Sequence, residues 1–191
     1  MLASGNIVCT VELPALSSSA FREKRRTESL TTFLSSALTE ILNSAQVFDP
    51  AQLQIKEGEL YWVLHVHVVC VNYDGNAFDL SLLAALAALE DARLPALAEG
   101  PAVGGPGRLV EAAEDDAQRV ADARRVKLLS RPLPASFALL AGQHWVLDPC
   151  TSEEGLGATV SLCLVGGKWL VYHQGGGASA DTVLGELMPA A

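Results

Sequence analysis

The stretch LYWVLHVHVVCVNYDGNAFDLSLLAALAALEDARLP, Leu60 to Pro95, joins an extended apolar run to a second apolar run through a single glycine turn. Its first part, Leu60–Tyr73, is rich in β-branched and aromatic residues, lacks Gly and Pro, and is apolar on both faces. That pattern predicts a central strand. Asp74-Gly75-Asn76 supplies turn chemistry, and Asp79 is placed to cap a helix running from about Leu80 to Asp91. With alanines at 84, 85, 87 and 88 the helix is apolar nearly all round, which predicts burial and close packing. Gly75 is expected at φ > 0, so valine there should cost on the order of 1–3 kcal/mol, and alanine at Asn76 much less. Strand–turn–helix joints sometimes cradle phosphate, but this turn has one glycine and no basic residue beside it. It is read as a turn of the chain.

Upstream, Asn6–Leu13 (NIVCTVEL) reads as a strand ending at Pro14, followed by a polar loop at Ser17–Ser19. From about Thr27 to Ala45 the residues Leu30, Phe33, Leu34, Ala37, Leu38, Ile41 and Leu42 recur at spacings of three and four, the stripe of an amphipathic helix. Downstream the composition shifts. GPAVGGPG and an acidic, alanine-rich run predict a flexible acidic insertion at about 98–122. Strand patterns resume at Ser136–Leu140, His144–Leu147, Thr159–Val165 and Trp169–His173, which reads as two hairpins. A last helix is expected from near Ser179 or Asp181 to about Met188.

The 191 residues, half of them hydrophobic, suffice for one core and favour a single domain, residues 1–191. No run of 18 apolar residues occurs, so no membrane helix is expected, and the first 20 residues hold no Lys or Arg for a signal-peptide n-region. Cys9, Cys70, Cys150 and Cys163 are scattered without a CxxC pair, and free thiols are expected. The net charge of −9 gives a surface that repels phosphate backbones, so a self-sufficient nucleic-acid binder is not expected. Arg22, Lys24, Arg25 and Arg26 form a basic knot, read either as a solvated loop before a helix or as a phosphate or RNA contact.

Other candidate sites are sparse. His65 and His67 alternate onto one strand face, a spacing two metal-binding imidazoles would use, yet no third ligand stands at a recognisable spacing. No metal and no cofactor are expected. Gly175-Gly176-Gly177 before a helix allows either an anion cradle or a plain entry loop, and matches no P-loop or GxGxxG pattern. Asp148, Glu153 and Glu154 cluster near a strand end without a nucleophile or base beside them, and are read as turn residues.

Five segments together resemble the RNase PH-like module, and more narrowly a ring subunit of the RNA exosome. They are Val11–Arg22 (VELPALSSSAFR), Ile55–Leu89, Arg131–Leu140 (RPLPASFALL), Val146–Gly155 (VLDPCTSEEG) and Gly167–Gly177 (GKWLVYHQGGG). The resemblance implies an α/β (α+β) fold of mixed β-sheet with packed helices, like domain 2 of ribosomal protein S5. It also implies that the family's first strands are missing, so the chain is expected to be N-terminally truncated and poorly soluble alone. Catalytic relatives carry a carboxylate just after an EDxxGxAD-like segment. Here that run is Glu153-Glu154-Gly155-Leu156-Gly157-Ala158-Thr159-Val160, without a carboxylate at 158–160. Ala, Thr and Val cannot do acid–base or metal chemistry. The implied function is a non-catalytic structural subunit supporting 3′-to-5′ RNA processing and decay, including ribosomal RNA maturation and mRNA turnover. The implied partners are other RNase PH-like ring subunits, S1/KH-type cap subunits and single-stranded RNA, in nucleus, nucleolus and cytoplasm, with no membrane. The alternative is a phosphorolytic 3′-to-5′ exoribonuclease.

Overall fold

The computed structural model describes residues 6–56, 59–95, 97–99, 109–111, 124–141 and 144–174. β1 (Asn6–Glu12) leads through a short 3-10 turn at Ser19–Arg22 into α1 (Lys24–Leu42). A second 3-10 turn, Pro50–Leu53, precedes β2 (Gln54–Lys56), β3 (Leu60–Tyr61) and β4 (Val63–Val69). Then come α2 (Ala77–Asp91) and the short strands β5 (Arg93–Leu94), β6 (Leu97–Glu99), β7 (Leu109–Glu111) and β8 (Arg124–Arg125). The final part is β9 (Leu133–Leu140), β10 (His144–Leu147), a four-residue helix α3 (Thr151–Glu154), β11 (Ala158–Val165) and β12 (Lys168–Gln174).

Two sheets hold the helices. β1 and β4 run parallel, with Asn6 opposite Val63 and Glu12 opposite Val69. The hairpins β9–β10 and β11–β12 join through an antiparallel β9–β11 ladder into a four-stranded sheet of order β10-β9-β11-β12. Both hairpins are those the turn residues predict; the ladder that fuses them was not legible, because nothing local encodes it. The helical stripe of α1 faces inward as its spacing predicts, with Leu34, Leu38, Ile41 and Leu42 fully buried beside Ile7 and Leu82. Tyr172 of β12 links the layers, its ring 6.0 Å from Phe33 of α1 and 5.3 Å from Phe78 of α2.

Three expectations are corrected. The Leu60–Tyr73 run is two strands: Leu60–Tyr61 pairs with Gln54–Lys56, a register that the Trp62 N–H to Leu53 O bond of 2.7 Å extends, and Val63–Val69 pairs with β1 instead. Among the described residues β4 pairs with β1 alone, and its face at Val63, His65, His67 and Val69 is exposed, so it is not a central strand covered on both faces. Helix α2 is also not buried all round. Phe78, Leu82, Ala85, Leu86 and Leu89 are buried, whereas Leu80, Leu83, Ala84, Ala87 and Ala88 face outward. Alanine-rich composition hid this two-sidedness, since it makes both faces apolar.

α1 begins at Lys24 rather than Thr27, so Lys24, Arg25 and Arg26 lie in its first turn instead of in a loop before it. Their side chains are outside the described residues, as are Gly175–Gly177 and the expected last helix. Within the 98–122 segment, the described strands form a small antiparallel pair, Leu97 opposite Glu111 and Glu99 opposite Leu109. No helix among the described residues is long and apolar enough to cross a membrane.

Candidate functional site: the joint at the start of α2

The residues that carry chemistry gather where α2 begins. Gly75 takes φ +98° and Asn76 φ +48°, consecutive left-handed residues that reverse the chain between β4 and α2. Such values suit Gly and, among the others, Asn best. The turn lies flat on the 148–154 loop: a Cβ on Gly75 would come within 2.2 Å of Pro149 O and 2.7 Å of the Cys150 carbonyl carbon. Thr151 N–H donates back to Asp74 O at 3.2 Å.

Asn76, not Asp79, is the cap of α2. Its side-chain oxygen accepts from Asp79 N–H at 3.4 Å, and the helix starts three residues earlier than predicted. The left-handed backbone of Asn76 swings its amide over the first turn, which leaves the Asp79 carboxylate free to reach outward. The spacing Asn-x-x-Asp resembles a capping box, and that signal was available in the sequence.

Asp79 instead ties α2 to the four-stranded sheet. It accepts from Ser136 N–H at 2.9 Å and from the Ser136 hydroxyl at 2.7 Å, and Ser136 Oγ lies 2.8 Å from Ser161 Oγ. Both serines are buried, so neither hydroxyl is open to a substrate. No sequence reasoning linked residues 79, 136 and 161, because the β9–β11 register brings them together. The same surroundings act on Cys163: burial, then the nearby Asp79 charge, push its thiol up to about 12.

The other carboxylates of the joint are also engaged. Asn76 Nδ2 donates to Asp148 Oδ1 at 2.7 Å and to Asp79 Oδ2 at 2.9 Å. Glu154 Oε1 accepts from Asn76 N–H at 2.9 Å, and its Oε2 accepts from the Tyr73 hydroxyl at 2.5 Å. Tyr73 in turn stacks on Phe21, with ring centroids 4.6 Å apart. Glu153 accepts from Cys150 N–H at 2.8 Å and so closes the start of α3. Of the three residues read as turn residues, Asp148 lies in a turn at φ +55°, whereas Glu153 and Glu154 belong to the short helix α3.

This geometry decides what the joint can hold. A helix N-terminus attracts anions through its free N–H groups and dipole. Here Glu154 occupies one donor from within the chain, with Asp79 and Asp148 on the same asparagine. A further anion would meet three carboxylates. Further along, Ala158 and Val160 point into the interior, 7% and 0% exposed, at the positions where catalytic relatives are expected to carry a carboxylate.

The remaining candidates stay apart. His65 and His67 share the outer face of β4, and His67 Nε2 lies 3.2 Å from Glu12 Oε2 of β1. Among the described residues no group of three or more His, Cys, Asp and Glu could hold a metal ion. Arg22 is exposed in the turn before α1, next to the buried Phe21. All four cysteines are free, Cys9 and Cys163 buried, Cys70 and Cys150 half-buried.

Comparison with known proteins places this architecture. Residues 2–95 match the 3′ exoribonuclease family, domain 1, RNase PH. The chain is 31% identical over 151 residues to exosome complex component RRP45 of Danio rerio, covering 78% of this chain and 36% of that protein. It is 36% identical over 91 residues to exosome complex component rrp43 of Schizosaccharomyces pombe, covering 48% and 33%. Against exosome complex component Rrp42 of Methanothermobacter thermautotrophicus it is 29% identical over 155 residues, covering 80% and 51%. The chain thus spans about a third to a half of the length of these relatives. Its fold superposes on a chain of an Archaeoglobus fulgidus exosome solved with RNA bound to the active site, with TM-score 0.75 at 21% identity over 97% of this chain and 66% of that one. An archaeal exosome core gives TM-score 0.72 at 18% identity, over 98% and 64%. This chain carries an RNase PH domain, has the mixed α/β RNase PH-like fold, and is a homologue of exosome complex components.

Proposed function

We propose that the chain is a non-catalytic subunit of an exosome ring, supporting 3′-to-5′ RNA processing and decay without performing the chemistry. The observation that carries the reading is Glu154 seated on the Asn76 N–H, with Asp79 and Asp148 beside it. Phosphorolysis needs inorganic phosphate held by cations or free N–H groups. At this joint the Asn76 N–H is bonded to Glu154 and the Asp79 N–H to the Asn76 side-chain oxygen, with the Asp79 and Asp148 carboxylates beside them. The buried Ala158 and Val160 add a second support, since neither can move a proton or bind a metal. A net charge of −9 fits a scaffold whose ring neighbours supply the cations for RNA.

In this reading the partners are other RNase PH-like ring subunits and S1/KH-type caps. Arg22, Lys24, Arg25 and Arg26 supply what direct contact the chain makes with single-stranded RNA. Ribosomal RNA maturation and mRNA turnover, in nucleus, nucleolus and cytoplasm, are the processes and places proposed. Affinity capture of the tagged chain from cells that express it is the test. Recovery of RNase PH-like and S1/KH chains in equal amounts supports the reading, and recovery of the chain alone contradicts it.

A further inference from the structure

Strand β1 is an edge. Among the described residues it pairs with β4 on one side only, and the backbone groups of Ile7, Cys9 and Val11 point to the other side. A bare row of such groups invites another strand. Here the row is not bare. Ile7 N–H donates to Asn43 Oδ1 at 3.0 Å, Cys9 N–H to Thr39 Oγ1 at 3.0 Å, and Val11 N–H to Ser35 Oγ at 2.9 Å. Two carbonyls are bonded as well: Asn43 Nδ2 donates to Ile7 O at 2.6 Å, and the Thr39 hydroxyl to Cys9 O at 3.3 Å.

The match follows from two repeats. Residues 35, 39 and 43 recur every four on a helix, a rise of about 6.0 Å. Residues 7, 9 and 11 recur every two on a strand, a rise of about 6.6–6.8 Å. A helix running antiparallel to a strand can therefore offer one polar side chain to each outward-pointing residue, and the pairs 43 with 7, 39 with 9 and 35 with 11 run in that order. Asn43 pairs with Ile7 as a neighbouring peptide unit would, giving and accepting one bond each. The adjoining stripe of Leu34, Leu38, Ile41 and Leu42 is fully buried, which fixes α1 in rotation and holds the polar row against the edge.

We propose that Ser35, Thr39 and Asn43 guard this edge: they stand in for a neighbouring strand and keep β1 from pairing with β1 of another copy. Thr39→Val keeps the side chain's shape and removes both of its bonds to Cys9. By amide hydrogen exchange on the full chain, the Cys9 amide should exchange about tenfold faster in this variant, the loss expected for one hydrogen bond, while the Val66 amide in β4 is unchanged. The triple variant S35A/T39A/N43A should shift the chain toward larger species in sedimentation at a concentration where the parent shows none. Cys9 exchange unaltered by Thr39→Val would overturn the proposal. So would a folded triple variant with the parent's sedimentation profile. If the triple variant does not fold, the Cys9-to-Val66 exchange ratio in Thr39→Val decides alone.

Discussion

Gly75→Ala measures how firmly the turn before α2 rests on the 148–154 loop. Two costs add at this position. An L side chain at φ +98° carries a left-handed penalty of about 1–2 kcal/mol. Its Cβ would also stand 2.2 Å from Pro149 O and 2.8 Å from Cys150 Cα, both backbone atoms that cannot rotate away. Forcing a methyl into such a contact costs about 1–3 kcal/mol through backbone displacement. The sum is about 2–5 kcal/mol, and at about 2–4 °C per kcal/mol for a chain of this size the melting temperature should fall by roughly 4–20 °C. Gly167 provides the internal control. It has φ +80°, and a Cβ there would meet nothing within 4 Å, so Gly167→Ala carries the conformational cost alone. Urea denaturation of the two variants beside the parent gives the difference, which should be about 1–3 kcal/mol larger for Gly75→Ala. Equal losses would refute the close seat of the turn on Pro149–Cys150.

Asn76→Ala, expected from sequence to be mild, should instead cost about 1–3 kcal/mol in urea denaturation, because it removes a helix cap and puts alanine at φ +48°; a loss under half of that would contradict the capping role. Glu154→Ala leaves the Asn76 N–H and Tyr73 hydroxyl without their shared acceptor and should cost about 1.5–3 kcal/mol by the same measurement. Timed alkylation should label Cys70 and Cys150 before Cys9 and Cys163, the latter two being buried; equal rates would mean the core opens readily. Burial raises the thiols of Cys9 and Cys163 from 9.0 to about 11 and about 12, so the folded chain keeps these protons to higher pH than the unfolded chain does. Their contribution to stability is then whole below about pH 9 and is lost as pH rises through 11 and 12. Replacing both by alanine should flatten the alkaline limb of a pH–stability curve, and an unchanged limb would assign it to other groups.

Much of the architecture was legible because it is written in local patterns. The α1 stripe at 30, 33, 34, 37, 38, 41 and 42, the two hairpins, and the glycine turn at 75 each follow from spacing or from a backbone demand one residue type meets. What local pattern could not show was partnership. An apolar strand on both faces suggests a central position, yet β4 has one described neighbour, since exposure depends on which strands lie beside it. In α2, leucine and alanine occur on both the outer and the inner face, which gave nearly the same hydropathy all round. The site was harder still. Its bonds join residues 76 with 148 and 154, 79 with 136, and 136 with 161, separations of 25 to 78 residues that only the β9–β11 register and the seat of the 148–154 loop create. The Ser35–Thr39–Asn43 row was visible as a helical repeat of polar residues, but beside an apolar stripe it reads as ordinary surface.

The most direct test of the account is phosphorolysis itself. The purified chain, incubated with 3′-labelled single-stranded RNA and millimolar inorganic phosphate, should release no labelled nucleoside diphosphate, whether alone or joined to its ring neighbours with their own active sites disabled. Phosphate-dependent release of nucleoside diphosphates by that preparation, abolished by substitution within residues 148–160, would contradict it.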